Sequence, residues 1–457
     1  MKCRLALPVC FVVSLMTGCN VPPGNVDSPL AGLDFRQIVS DAKDKVFPAV
    51  VYIKCLKESH ESGKKITQEI SGSGVIISEE GQLLTNWHVI DKATEVRCLL
   101  YDGRSFDAEV IGSDKDTDLA LIKLIMDEGS AAVPSAGIGD SDVLREGDFV
   151  MAMGAPWGMS RSVSIGIVSC TTRYLPSNSE YSLWLQTDAA ISPGNSGGPL
   201  VNTAGEIVGI NTRSVMYGGD MGFAIPAVTV KVIIQQLRES GRMNWSWTGL
   251  QLQPLKDFDR NVYFDADEGV VVAETDQESP ARRAGILARD RIVRIAGKEV
   301  TVTTAEDLPA VRTQIGLLPK GEPVQIDLVR EGSAMTIALV PTEKGTVEGA
   351  ELDCPRWDMT VKAINKFDNK DLYYYRKEGV FVYGIKRPGN AGNAGLAEKD
   401  ILLKIGKTEI VTLDDVRKAR SEAIEGIEDN HKVLVTVLRN GLMRQVILDF
   451  LRDYEKE

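Results

Sequence analysis

Residues 194–199 read Gly194-Asn195-Ser196-Gly197-Gly198-Pro199, a serine inside a glycine-rich turn. A free serine hydroxyl is a weak nucleophile and needs an adjacent base. Upstream, Thr85-Asn86-Trp87-His88-Val89 sets a histidine just after an apolar run. Asp114-Lys115-Asp116-Thr117-Asp118-Leu119-Ala120 sets an aspartate at the start of another. The order His, Asp, Ser is one in which nucleophilic triads occur. In such a triad His88 takes the Ser196 proton and later gives it to the leaving amine. Asp118 fixes the tautomer of His88 and stabilises the imidazolium. Glycines around Ser196 let the backbone turn tightly. The turn Gly194-Asn195-Ser196 is then the expected oxyanion hole, with the Gly194 and Ser196 N–H groups as its donors.

Outward from these motifs, residues 35–226 alternate short apolar runs with turn residues. Six runs (Val50–Cys55, Gly74–Ser78, Gln82–Thr85, Glu95–Tyr101, Phe106–Ile111, Leu119–Leu124) carry His88 and Asp118. Six more (Phe149–Met153, Val163–Cys170, Leu183–Thr187, Pro199–Asn202, Glu206–Thr212, Met221–Ile225) carry Ser196. Turn signals such as Asp102-Gly103 and Ala204-Gly205 separate neighbours. Short strands without intervening helices predict an all-β architecture. A cleft between two barrels would bring the three residues together. Pro226 opens a helical stretch that Gly241 closes, the expected asymmetry of helix ends.

The C-terminal half repeats. Gly269-Val270-Val271-Val272 parallels Gly379-Val380-Phe381-Val382, and Asp290-Arg291-Ile292-Val293 parallels Asp400-Ile401-Leu402-Leu403. Both pairs are offset by 110 residues (379 − 269, 400 − 290). A constant offset marks two copies of one unit. Pro341–Ala350 is the predicted linker.

Lys2 and Arg4 precede an apolar run from Leu5 to Met16. It is too short to span a membrane and fits a secretory signal. Leu15-Met16-Thr17-Gly18-Cys19 resembles a lipobox, in which Cys19 becomes the lipid-bearing N-terminus. Residues 20–30, rich in Pro, Gly and polar residues, read as a tether. Cys55, Cys98, Cys170 and Cys354 are too widely spaced for a zinc knuckle. A Cys55–Cys98 disulfide and four buried free thiols both remain open.

Acidic residues number 64 and basic residues 52, a net charge of −12 that argues against broad nucleic-acid binding. Three histidines leave little material for a histidine-rich metal site. A hydrophobic fraction of 43% with 25% charged residues excludes both a disordered chain and a multi-span membrane protein. No glycine-rich loop is followed by Lys-Ser/Thr, so ATP use is not expected. His60 and His431 lie in polar stretches and read as surface residues.

Ser73-Gly74-Val75-Ile76-Ile77, the three triad motifs and Gly222-Phe223-Ala224-Ile225-Pro226 resemble signatures of the HtrA/Deg family of envelope serine proteases. In that family a trypsin-like domain precedes one or two PDZ domains. The resemblance implies a mainly β chain. A chymotrypsin-like double six-stranded barrel (35–241) would be followed by two partly open α+β barrels of PDZ type (245–343 and 350–453). Residues 1–18 would be the signal and 19–34 the tether. It implies an ATP-independent endopeptidase that degrades misfolded or unfolded proteins through an acyl-enzyme at Ser196, without metal or organic cofactor.

The same resemblance implies a small apolar specificity pocket lined by Ile191, with Asn211-Thr212-Arg213-Ser214 as another wall. Arg213 and Ser214 depart from the small aliphatic residues expected there. A PDZ unit adds a peptide C-terminus to its sheet edge. Thr248-Gly249-Leu250-Gln251 would hold the carboxylate in the first unit. Asp358-Met359-Thr360-Val361 takes that place in the second and lacks the glycine. The family also implies a homotrimer or larger assembly, with Phe35 near the contact, and loop-based regulation, with Lys57–Glu69 a mobile loop. Two alternatives stay open: a PDZ-based chaperone or scaffold, and a peptide-gated protease with one substrate.

Overall fold

The computed structural model describes residues 34–156, 161–175, 179–215, 221–257 and 261–454, with backbone alone at 213–215. The predicted signal, the tether and Cys19 lie outside the described residues.

Twelve strands form two closed barrels. The first runs β1 (Val50–Ser59), β2 (Ile66–Ile76), β3 (Gln82–Asn86), β4 (Ala93–Leu99), β5 (Ser105–Asp114) and β6 (Leu119–Leu124), in the order β1-β2-β3-β6-β5-β4. The second runs β7 (Phe149–Gly154), β8 (Ser162–Tyr174), β9 (Leu183–Thr187), β10 (Pro199–Asn202), β11 (Ile207–Val215) and β12 (Met221–Pro226), in the order β10-β11-β12-β9-β8-β7. Every predicted run becomes a strand, and the double-barrel expectation is borne out. Closure removes the edges that an open sheet would expose.

Three helices accompany the barrels: α1 (Phe35–Val46), α2 (Trp87–Ile90) and α3 (Ala227–Ser240). α3 starts after Pro226 and ends at Gly241, whose φ of +71° favours glycine. Its Val230, Ile233, Ile234 and Leu237 are buried. Strand β6 is buried at every position but Lys123. It packs inward as a barrel strand and outward against α3. Truncating one such buried leucine costs about 2–5 kcal/mol. Helix α1 was not legible: only Ala42 and Val46 are buried among its twelve residues, too few to give a periodic stripe.

The C-terminal half folds as two related sheets. In the first, Leu250–Gln253 lies at one edge beside Val270–Thr275, followed by Arg291–Ile295, Val324–Arg330 and Ser333–Leu339. In the second, Met359–Ala363, Val380–Ile385, Ile401–Ile405, Lys432–Arg439 and Leu442–Asp449 repeat that order. The repeat extends to side chains. Asp290 binds Arg330 at 2.6 Å, and Asp400 binds Arg439 at 2.5 Å. Each pair anchors a sheet to the turn after its short helix.

Two expectations about connecting segments are corrected. Lys57–Glu69 is not a loose loop. β1 and β2 extend through most of it, pairing Lys57 with Gln68 and Ser59 with Ile66. Pro341–Ala350 is not a free linker. Thr342–Glu343 pairs with Ser246–Trp247, and the Lys344 ammonium reaches Asp116 at 2.7 Å. Among the described residues no helix is long and apolar enough to cross a membrane.

Candidate active site

His88 sits on α2, immediately after β3. Its Nδ1 lies 2.9 Å from both carboxylate oxygens of Asp118. The His88 backbone N–H donates to the same carboxylate at 3.0 Å. A carboxylate beside Nδ1 accepts, so Nδ1 carries the proton and Nε2 keeps its lone pair. That is the tautomer a general base requires.

Asp118 is 3% exposed and holds a positive φ of 58°. A non-glycine residue rarely adopts this conformation, and it persists only when the surroundings fix it. Here the Asp118 carbonyl accepts from Asn86 Nδ2 at 3.0 Å and from Trp87 N–H at 3.1 Å. The Thr212 hydroxyl donates to the carboxylate at 2.5 Å. Buried polar atoms without partners are costly, and this carboxylate has three donors.

Ser196 lies in the turn between β9 and β10. Its hydroxyl donates to the Thr212 carbonyl at 2.7 Å. Among the described residues no hydrogen bond joins it to His88. Thr212 therefore touches both partners, its carbonyl at Ser196 and its hydroxyl at Asp118.

The turn is pinned from the first barrel. Ser73 on β2 is fully buried. Its hydroxyl donates to the Gly194 carbonyl at 2.6 Å and accepts from Ala155 N–H at 2.8 Å. Its backbone N–H donates to the Ser196 carbonyl at 2.8 Å. Gly194 and Gly197 have φ of +96° and +85°, which only glycine adopts without strain. Among the described residues no acceptor takes the Gly194 or Ser196 N–H. The Asn195 N–H donates instead to the Ser192 carbonyl at 2.9 Å, so the third residue of the predicted hole faces elsewhere.

The predicted pocket residues separate. Ile191 is 7% exposed and packs in the core of the second barrel. Asn211 is fully buried and its amide donates to the carbonyls of Met153 and Pro199. Thr212 points its hydroxyl at Asp118. Asn211 and Thr212 thus brace the site through these bonds. The side chains of Arg213 and Ser214 lie outside the described residues. Sequence reasoning gave Ser73 and Asn86 no role of their own. The available signal was a polar residue interrupting an apolar strand.

Four residues before Asp118, Asp114 is buried with its carboxylate accepting from Thr117 and from Trp245 Nε1. Burial, with Asp116 nearby, pushes its pKa up to about 6. Tyr181 stacks on Trp245, ring centroids 4.2 Å apart, and its hydroxyl accepts from Lys344 at 3.2 Å.

Thr248, Gly249, Leu250 and Gln251 of the first C-terminal unit line a cavity of about 670 Å³. Gly249 has a φ of +72° and lies against Ser279, leaving no room for a side chain. Lys115 and Tyr181 of the barrels and Phe367 of the second unit complete the wall. His60, expected at the surface, is instead half-buried, with Nδ1 3.1 Å from Glu351 of the second unit. Cys55, Cys98, Cys170 and Cys354 are free thiols. Among the described residues no group of three or more His, Cys, Asp and Glu side chains could hold a metal ion.

Comparison with known proteins gives consistent matches. Residues 72–210 match the trypsin-like peptidase domain family, and 248–340 match the PDZ domain family. A probable periplasmic serine endoprotease, DegP-like, from Ectopseudomonas mendocina is 36% identical over 83% of this chain and 79% of its own length. A protein of the same description from Chlamydia trachomatis is 30% identical over 85% of this chain and 77% of its own. The solved HtrA-type protease AlgW with tripeptide superposes with a TM-score of 0.59 at 33% identity, covering 67% of this chain and 97% of that one. The serine endoprotease from Yersinia pestis gives 0.52 at 31%, covering 66% and 97%.

Proposed function

This chain belongs to the family of HtrA-type, DegP-like serine endoproteases, and within it we propose that His88, Asp118 and Ser196 are the catalytic triad of a periplasmic endopeptidase. The observation that carries this is the geometry around His88: Nδ1 facing a buried carboxylate, Nε2 without a hydrogen bond among the described residues, and Ser196 joined to the same assembly through Thr212.

The reaction follows from these groups. Ser196 Oγ attacks the scissile carbonyl carbon while its proton passes to His88 Nε2. The C–O bond that forms places negative charge on the carbonyl oxygen, within reach of the Gly194 and Ser196 N–H groups. Collapse breaks the C–N bond, His88 returns the proton to the leaving amine, and an acyl-enzyme remains. Water repeats the sequence on the ester. No step calls for ATP, a metal or an organic cofactor.

Unfolded or misfolded polypeptides are the proposed substrates. The barrels would be residues 35–241 and the PDZ units 245–343 and 350–453, with Thr248–Gln251 taking a peptide C-terminus. Phe35 and Phe149 are both partly exposed and in ring contact at 4.8 Å. That apolar pair supports trimerisation through the barrels. Residues 1–18 would be the signal, 19–34 the tether and Cys19 the lipid attachment. A Cys19→Ala chain that still pellets with membranes would remove the anchor from this reading.

A gated enzyme is the second reading, favoured by the Ser196 hydroxyl bonding Thr212 rather than His88. Residues 20–457 and their Ser196→Ala variant, incubated with an unfolded model protein without ATP, decide. Cleavage by the first alone supports general proteolysis. Silence from both until an apolar-ended peptide is added supports gating. Silence in every condition removes the proposal.

A further inference from the structure

The two C-terminal units differ at one sheet edge. In the first unit Leu250–Gln253 pairs only with Val270–Thr275, and its outer edge is free among the described residues. In the second the equivalent strand, Met359–Ala363, is paired on both sides. Val380–Ile385 takes one edge and Glu351–Cys354 takes the other.

Glu351–Cys354 runs antiparallel to Met359–Ala363, with Glu351 opposite Lys362 and Cys354 opposite Met359. An added peptide strand makes the same main-chain bonds to such an edge. The strand's C-terminal end points into the turn Pro355–Asp358, the place where a bound carboxylate would sit. Helix Leu413–Glu425 packs over it, and Arg420 Nε donates to the Pro355 carbonyl at 3.1 Å. Cys354 and Trp357 are fully buried beneath.

The turn is also filled. Asp358 has a φ of 55°, the conformation Gly249 takes in the first unit. Its carboxylate is almost wholly buried and accepts the Asn390 N–H at 2.9 Å, at the start of the short helix Asn390–Asn393. Lys386 stands 3.5 Å away. A protein carboxylate thus lies packed beside the turn.

We propose that the second PDZ unit carries Glu351–Cys354 as a resident ligand, so that each chain takes one free C-terminus, at the first unit only. The same strand fastens the second unit to the first barrel. Glu351 meets Lys92 at 2.6 Å and His60 at 3.1 Å. Thr360 donates to the His60 carbonyl, and Tyr383 OH to Glu61 at 3.1 Å. The second unit is thereby a brace for the β1–β2 hairpin rather than a second receptor.

This rests on the PDZ reading of the first unit, and the test separates the two. The Ser196→Ala chain is titrated calorimetrically with an apolar-ended decapeptide bearing a free carboxylate, and with its C-terminal amide. One equivalent of acid and none of amide is expected. Two equivalents in the intact chain overturn the resident ligand. Gly249→Val should abolish the single site. Replacing Glu351–Cys354 by Gly-Ser-Gly-Ser should add a second equivalent, and its failure to do so in a folded variant counts against the proposal. Amide exchange in the peptide-free chain is an independent arm. Residues 359–363 should exchange at least tenfold more slowly than 250–253, and equal rates overturn the occupancy. Complete absence of peptide binding with slow exchange at 359–363 would remove the PDZ reading of the first unit and leave the resident strand standing.

Discussion

Thr212 holds Asp118 by its hydroxyl at 2.5 Å and Ser196 by its carbonyl at 2.7 Å. One residue on β11 therefore links Asp118 and Ser196 across the two barrels. Thr212→Val keeps the shape and removes the hydroxyl. A lost bond to a buried charged group costs about 1–3 kcal/mol. We expect kcat on a peptide ester to fall about 5- to 100-fold with KM little changed, and an unchanged kcat would show that the bond is only structural.

Ser196→Ala removes the proposed nucleophile. Turnover should fall by about 10⁴-fold or more, as in triads elsewhere. Folding should be intact, since the hydroxyl makes one hydrogen bond. The check is peptide hydrolysis alongside a thermal melt.

Asp114 gives a pH signature. Its carboxyl is raised from 3.8 to about 6 by burial and by Asp116. The folded state therefore favours the protonated form. Its stabilising contribution is fully present below about pH 3.8 and is lost as the pH rises through about 6. Asp114→Asn should flatten the change in Tm across that window. An unaltered slope would mean that other groups govern it.

Lys344 ties the segment between the two C-terminal units to the loop that carries Asp118. It is 10% exposed at its side chain and bonds Asp116 at 2.7 Å. Burial lowers its pKa, but Tyr181 and Asp116 outweigh this and hold it above the ordinary lysine value. Lys344→Met leaves Asp116 without that partner. Denaturant titration should show a loss of about 1–3 kcal/mol.

The barrels were legible because each strand is a short run between turn signals, and because β6 and α3 carry long apolar stretches. The proposed triad could be read from the sequence because a serine among glycines and a histidine at the end of an apolar run have few other uses. What stayed hidden was which segments find a sheet edge to pair with. Nothing local in Glu351-Leu352-Asp353-Cys354 distinguishes a linker from a strand. Its state depends on an edge that only the folded second unit presents. The contacts of Thr212 were hidden for a similar reason. Every residue from Ile207 to Thr212 on β11 is buried, and the neighbour that Thr212 meets is decided by the other barrel.

The four thiols have a consequence of their own. Cys55 and Cys98 lie inside the first barrel, Cys170 on the second, and Cys354 in the core of the last unit. Burial pushes Cys55 and Cys354 up to about 12, so neither is a thiolate at neutral pH. An alkylating reagent will mark the buried Cys55, Cys98 and Cys354 only when their own modules open, whereas Cys170 is partly exposed. The order in which the labels appear by mass spectrometry would then chart how this enzyme comes apart, without any introduced dye.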